Sequence, residues 1–184
     1  MEEKVIMAGF GGQGVMAIGK LLAYAGMIEG KHVTWMPSYG PEMRGGTANC
    51  SVVVSDEEVG SPLISKDGTA AIVMNLPSLA KFEKELVPGG KLLVNKSLIN
   101  EEPTRTDLDV HYVSANELAS ELGNNKVANM VMLGAYLELT KIVDVESVLH
   151  AFVKVFGENK SKLVPINKKA LEKGAEAVRK MQAV

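Results

Sequence analysis

Apolar positions along the chain fall into two alternating rhythms. Val5 to Ala8 is a short unbroken apolar run, the mark of a strand buried on both faces. The segment Gly9-Phe10-Gly11-Gly12-Gln13-Gly14 follows at once, and then Val15, Ile18, Leu22 and Ala25 recur at helical spacing up to Gly26. Gly30 closes that unit, and His32 to Met36 reads as a second strand. Pro37 to Gly46 is rich in proline and glycine and reads as a loop. Asn49 to Ser55 is β-branched and strand-like, and Ser55 to Ser65, with Gly60 and Pro62, reads as a turn or hairpin. Ala70 to Leu76 is another buried strand, Pro77 to Leu86 a short helix, Pro88-Gly89-Gly90 a turn, and Lys91 to Asn95 and Val110 to Val113 the last two strands.

The remaining pattern is helical. Ser114 and Glu117 have the spacing of a capping box, so a helix is expected to start there and to end at Gly123. Val127 to Ile142 is apolar on most sides, as a helix buried in a subunit interface would be. Asp144 is placed to cap a further helix that buries Val145, Val148, Leu149, Phe152 and Phe156. Asn167 to Gln182 reads as an exposed, Lys-rich amphipathic helix. The whole of 1–184 is expected to form one domain, with 160–184 as a tail region. A strand, a glycine loop, a helix and a second strand open a doubly wound α/β fold. The expectation is therefore a Rossmann-like, mostly parallel sheet with helices on both faces and a helical C-terminal third.

Composition narrows the function classes. Net charge is −2, and the 20 basic residues are scattered, which argues against nucleic-acid binding and against a polybasic membrane contact. The apolar runs are of strand length, too short to cross a bilayer. Met1-Glu2-Glu3-Lys4 lacks the basic start of a signal peptide, so the cytoplasm is the expected compartment. Cys50 is the single cysteine, and His32, His111 and His150 stand far apart, so no disulfide, zinc or iron–sulfur framework can be written from this chain alone. Cys50 lies in a strand-like run, where a buried, inert thiol is expected. No catalytic residue and no metal ligand are assigned.

Two loops carry the candidate chemistry. Gly9, Gly11 and Gly14 satisfy the G-x-G-x-x-G spacing between a strand and a helix. There the backbone N–H groups and the positive end of the helix dipole suit a phosphate, and glycine lets it approach. The same glycines also serve tight strand–helix packing with no ligand at all. A dinucleotide site further requires an acid at the end of the second strand, to hold a ribose hydroxyl. That place is held by Met36-Pro37, with Glu29 before the strand and Glu42 well into the loop, which weakens a nicotinamide-cofactor reading. Gln13 carries an amide that can meet a phosphate or brace a neighbouring loop. The second loop, Pro37-Ser38-Tyr39-Gly40-Pro41-Glu42-Met43-Arg44-Gly45-Gly46, sets a hydroxyl, a phenol, a carboxylate and a guanidinium at the same expected sheet edge. Arg44 before Gly45 suits an anionic ligand, with Glu42 to orient it. Tyr39 and Met43 equally suit contact with a partner protein.

Three ordered segments resemble the gamma subunit of 2-oxoacid:ferredoxin oxidoreductases: Gly9 to Gly14, Pro37 through Gly46 to Cys50, and Asn129-Met130-Val131-Met132-Leu133-Gly134-Ala135. The resemblance covers nearly the whole chain up to the tail helix. It implies an assembly that decarboxylates a 2-oxoacid, passes electrons to ferredoxin and forms an acyl-CoA. Thiamine diphosphate would lie in alpha and beta partner subunits, and iron–sulfur clusters in a delta-type, ferredoxin-like one. For this chain it implies a non-redox role, with contact to coenzyme A. Gly11, Gly12, Gln13 and Gly14 would approach the pyrophosphate, and Ser38, Tyr39 and Arg44 would shape the neighbouring wall. Asn129 would either reach the same edge or be hydrogen-bonded inside an interface. The second loop is more similar to 2-oxoglutarate and branched-chain members than to pyruvate ones, and indolepyruvate enzymes contain a related subunit. A stand-alone dinucleotide oxidoreductase and a purely structural subunit are the alternatives. An apolar stripe without its partners would drive a homodimer of the isolated chain.

Overall fold

The computed structural model describes residues 1–38 and 47–184. Within them six strands form one sheet in the order β2-β3-β1-β4-β5-β6. The strands are β1 (Glu2–Phe10), β2 (His32–Ser38), β3 (Thr47–Ser55), β4 (Gly68–Val73), β5 (Leu86–Asn95) and β6 (Asp109–Val113). The helices are α1 (Val15–Ile28), α2 (Leu76–Phe82), α3 (Ala115–Glu121), α4 (Ala128–Thr140), α5 (Val145–Phe156) and α6 (Val164–Gln182). Among the described residues no helix is long and apolar enough to cross a membrane.

β1 lies inside the sheet, and Val5 to Ala8 are buried on both faces, as an unbroken apolar run requires. It pairs in parallel with β4, β4 with β5, and β5 with β6. β3 is antiparallel to β1 and to β2, so five strands run one way and β3 alone runs the other. The expected α/β sheet is present, yet β2 is not beside β1, because β3 is inserted between them. The reason is length. Residues 39–46 separate β2 from β3, whereas a parallel crossover takes about a dozen residues or more, so the two strands can only pair antiparallel.

Alternate residues of β1 feed two cores. Val5 and Met7 meet Ile18, Leu22, Val131, Tyr136 and Leu171 on one face, while Ile6 and Ala8 meet Leu79, Phe82, Leu92 and Ile99 on the other. The covering is lopsided: α1, α3, α4, α5 and α6 contribute to the first core and α2 to the second.

Four local expectations are corrected. Pro88-Gly89-Gly90 is no turn between elements but an irregular stretch inside β5. The β4–β5 register skips from Gly68↔Leu86 to Ala70↔Lys91, and Gly89 turns out at φ 78°. The capping box does not close. Ser114 makes no cap bond, and the Glu117 carboxylate accepts the Ser97 hydroxyl instead. The N–H groups opening α3 are met from the end of β5: Asn95 Oδ1 accepts from Ala115 at 3.3 Å, and Ser97 Oγ from Asn116 at 3.0 Å. The apolar α4 is buried by this chain's own α6, not by a subunit interface. The two helices close on Gly134 and Gly174, where a Cβ on either would strike the other helix's backbone, at Leu171 and Val131 respectively. α6 is accordingly no exposed tail, since Asn167, Ala170, Leu171, Gly174, Ala175 and Val178 lie inside.

Candidate phosphate site at the carboxyl edge

β1 ends at Phe10, and the chain turns through Gly11 and Gly12 into α1. Gln13 N–H donates to the Phe10 carbonyl at 3.1 Å and closes that turn. Gly12 has φ 92° with open space where a side chain would stand, so only glycine fits the backbone and nothing shields it. Gly14 is the residue that caps α1, at φ 77° in the left-handed region. It offers no side chain to the helix, and no acidic residue lies in the first turn. The opening N–H groups of a fourteen-residue helix are thus left without a side-chain acceptor, at the positive end of its dipole.

Two side-chain amides hold this loop. Gln13 Oε1 accepts from Phe10 N–H at 2.6 Å, and Gln13 Nε2 donates to the Met74 carbonyl at 3.2 Å. Both ends of the Gln13 amide therefore brace the loop, tying it to the exit of β4. Gly9 has to be small for this, because a Cβ there would crowd Gln13 Oε1 and Met74. Asn129, on the first turn of α4, donates from Nδ2 to the Gly14 carbonyl at 3.2 Å and accepts Met130 N–H at 2.9 Å. The third sequence segment thus does reach the glycine loop, as a clamp on its backbone.

A pocket of about 140 Å³ opens against the loop, walled by Gly12, Gln13, Asn116, Lys126 and Asn129. Sequence reasoning missed Lys126 and Asn116. Lys126 stands three residues before Asn129 in a short 3-10 turn, where Asn124 Oδ1 accepts its N–H at 3.0 Å. A cation so close to Asn129 was the signal available.

A family description, pyruvate ferredoxin/flavodoxin oxidoreductase, matches residues 4–177. The chain belongs to the pyruvate ferredoxin/flavodoxin oxidoreductase family. It is 41% identical over 180 residues to the ketoisovalerate oxidoreductase subunit VorA of Methanothermobacter marburgensis, covering 97% of this chain and 37% of that one. It spans the same 37% share of VorA from Methanothermobacter thermautotrophicus. The 2-oxoglutarate synthase subunit KorC of Methanocaldococcus jannaschii is 33% identical over 156 residues, 83% of each chain. The crystal structure of a keto/oxoacid ferredoxin oxidoreductase gamma subunit from Geobacter sulfurreducens superposes with a TM-score of 0.82. It is 29% identical and covers 97% of this chain and 99% of that one.

In this oxidoreductase-family chain the sheet edge gathers part of the second loop's surroundings. Phe10 pairs with Thr47 and Ser38 with Asn49, so the strand ends flanking residues 39–46 lie at the same edge as the glycine loop. The side chain of Ser38, however, lines a separate depression of about 400 Å³ with Met36, Asn49, Ser51 and Lys81. Tyr39, Glu42, Arg44 and Gly45 lie outside the described residues. Cys50 is fully buried beneath the start of α1, with Sγ 3.5 Å from the Val15 carbonyl, and burial pushes its thiol up to about 12. Such a thiol is neither a nucleophile nor a metal ligand at neutral pH. Among the described residues no three His, Cys, Asp or Glu side chains cluster to hold a metal.

Proposed function

We propose that this chain is the non-redox, gamma-type subunit of a multi-subunit 2-oxoacid:ferredoxin oxidoreductase, and that its glycine loop receives the pyrophosphate of coenzyme A. The assembly converts a 2-oxoacid and coenzyme A to acyl-CoA and carbon dioxide, with the electrons passed to ferredoxin. The observation that carries the reading is the opening of α1. It has a left-handed glycine cap, no first-turn acid, Lys126 beside it, and two amides already committed to holding it open. That is a preorganised anion site, and among the described residues that wall it there is no carboxylate, histidine or thiol.

Thiamine diphosphate and iron–sulfur chemistry belong to the alpha, beta and delta-type partners. One buried cysteine cannot ligate a cluster, which takes several thiolates. The substrate is a branched-chain 2-oxoacid or 2-oxoglutarate. Identity supports this order, from 41% with the ketoisovalerate subunit to 33% with the 2-oxoglutarate subunit and 31% with the pyruvate synthase subunit PorC of Thermotoga maritima. The stand-alone dinucleotide reading lacks its ribose acid, since β2 ends on Pro37 and Ser38.

Purification at native expression level, with mass spectrometry of what accompanies the chain, is the test. Thiamine-binding and iron–sulfur subunits are expected. In that complex Arg44→Ala is expected to raise the KM for coenzyme A while leaving the KM for the 2-oxoacid unchanged. A lone chain that binds a nicotinamide dinucleotide would overturn the proposal.

A further inference from the structure

The sheet ends on β2 at one side and on β6 at the other, and the two edges are built differently. β6 is five residues long and carries Asp109 and His111, with His111 Nε2 2.9 Å from Asp109 Oδ1. A short strand that carries charge is a protected edge. β2 is seven residues long, His32-Val33-Thr34-Trp35-Met36-Pro37-Ser38, and holds no Asp, Glu, Lys or Arg. Its register with β3 runs unbroken from His32↔Ser55 to Ser38↔Asn49, so no bulge turns this edge away. Pro37 removes one N–H near the strand's end and leaves Val33 to Met36 able to pair. Among the described residues β3 is the one strand bonded to β2. Alternate N–H and C=O groups of β2 therefore point outward, and another extended strand satisfies such a row.

The helix beside this edge extends the surface. α1 covers one face of β2, with Gly26 against Val33 and Gly19 against Trp35. Met16, Lys20, Tyr24 and Met27 follow at helical spacing along the side of α1 next to Trp35. The first three are half-buried, and Met27 is 56% exposed. The Lys20 ammonium lies 6.0 Å from the Tyr24 ring centroid and 5.9 Å from that of Trp35, so its apolar stem lies along both rings. Trp35 is the single tryptophan of the chain. Tryptophan, tyrosine and methionine are enriched at the centres of protein interfaces, and no carboxylate stands in this stripe or on β2.

We propose that this edge seats a second copy of the same chain. β2 of one protomer pairs antiparallel with β2 of its partner about a two-fold axis near Trp35, and two six-stranded sheets become one of twelve. The surface is its own complement. The outward backbone row of β2 matches itself when reversed, and no charge on β2 meets its like across the axis, which is the device that keeps other edges apart. The axis stands perpendicular to the sheet, so both α1 helices stay on one face and their Met16–Met27 stripes meet. Seven residues of β2 and four of α1 take part on each side, against roughly 20–30 in a standard interface, so the dimer is of micromolar strength. Strands of the two copies run opposite ways. The two glycine loops therefore open at opposite edges of the joint sheet, and neither blocks the other. The proposal uses no feature of the coenzyme site and stands apart from it.

The test is sedimentation of the full chain over a concentration series, with hydrogen exchange and Trp35 fluorescence read on the same samples. A monomer–dimer equilibrium with a Kd of about 10 µM is expected. The outward amides of β2 are expected to exchange about tenfold more slowly well above that concentration, while those of β6 stay unchanged. Trp35 emission is expected to move to the blue in step. Met27→Glu, at an exposed position, sets carboxylates facing each other across the axis and is expected to weaken the dimer at least about tenfold with the fold intact. A chain that sediments as a monomer up to about 1 mM overturns the proposal. So does a dimer whose β2 amides exchange equally fast at every concentration, since its interface lies elsewhere. If the isolated chain stays monomeric and β2 is protected only in the complex with other subunits, the edge belongs to a different chain and the second-copy proposal falls.

Discussion

Asn129 Nδ2 donates to the carbonyl of Gly14 at 3.2 Å across 115 residues of sequence, and it occupies the space in which a side chain at Gly14 would stand. The amide thereby ties the first turn of α4 to the cap of α1. Asn129→Ala removes this bond and the acceptor for Met130 N–H, and is expected to cost about 1–2 kcal/mol of stability. Loss of coenzyme A affinity should exceed what that destabilisation explains, because the loop loses its fixed shape. Asn129→Asp is the sharper variant. It keeps the acceptor for Met130 N–H but sets a negative charge beside the anion site, so affinity should fall further, and most at low salt. Coenzyme A binding by calorimetry at two ionic strengths distinguishes the cases. Equal affinity for Asn and Asp at low salt would remove the case for an anion at this helix end.

The α4–α6 contact is set by two glycines. A Cβ on Gly174 would meet the Val131 carbonyl, and one on Gly134 the backbone of Leu171. Backbone cannot swing aside as a flexible side chain can, so the helices must part. Gly174→Ala and Gly134→Ala are each expected to lower unfolding stability by about 3 kcal/mol through overpacking, despite the better helix propensity of alanine. Gly60→Ala, where no atom lies within 4 Å, is the control and should change stability by less than about 0.5 kcal/mol. Urea denaturation with an unchanged m-value would report the difference as stability and not as a change in the unfolded chain.

The same two glycines show where sequence reading stops. The opening β1–loop–α1 unit was legible because its signals are local: an apolar run, glycines at a fixed spacing, then a period of 3.6. The burial of α4 was legible too, but not what buries it, since Gly134 and Gly174 lie forty residues apart and neither announces its partner. The place of β3 turned on counting the short β2–β3 link, and reading each strand by its own pattern passes over that. At α3 the local signal misled: Ser114 and Glu117 have capping-box spacing, yet Asn95 and Ser97 at the end of β5 serve the helix instead. The site divides in the same way. Gly12 and Gly14 are marked by the motif, whereas the Lys126–Asn129 wall arises where α1 and α4 meet, which no single window of sequence contains.

Cys50 offers a test of the core beneath the site. Its thiol is raised from an ordinary 9.0 to about 12 by burial against the start of α1. Below pH 9 both folded and unfolded chains hold the proton, and the group does not affect stability. Between pH 9 and 12 the unfolded chain releases it while the folded chain does not. Stability should therefore decline with rising pH, by about 1.4 kcal/mol per pH unit from this group. Lys4 and Tyr136, also raised in the folded chain, contribute in the same direction, so the informative quantity is the difference between the parent chain and Cys50→Ala. The alanine variant should be less stable at pH 7, from the cavity it leaves beside Gly19, yet lose less as the pH rises. In the parent chain, iodoacetamide at pH 8 should label Cys50 only as fast as the molecule unfolds. Rapid labelling of the native chain, with parallel alkaline stability curves for the two proteins, would show that the thiol is reached by solvent and that the packing of β3 under α1 is looser than its geometry indicates.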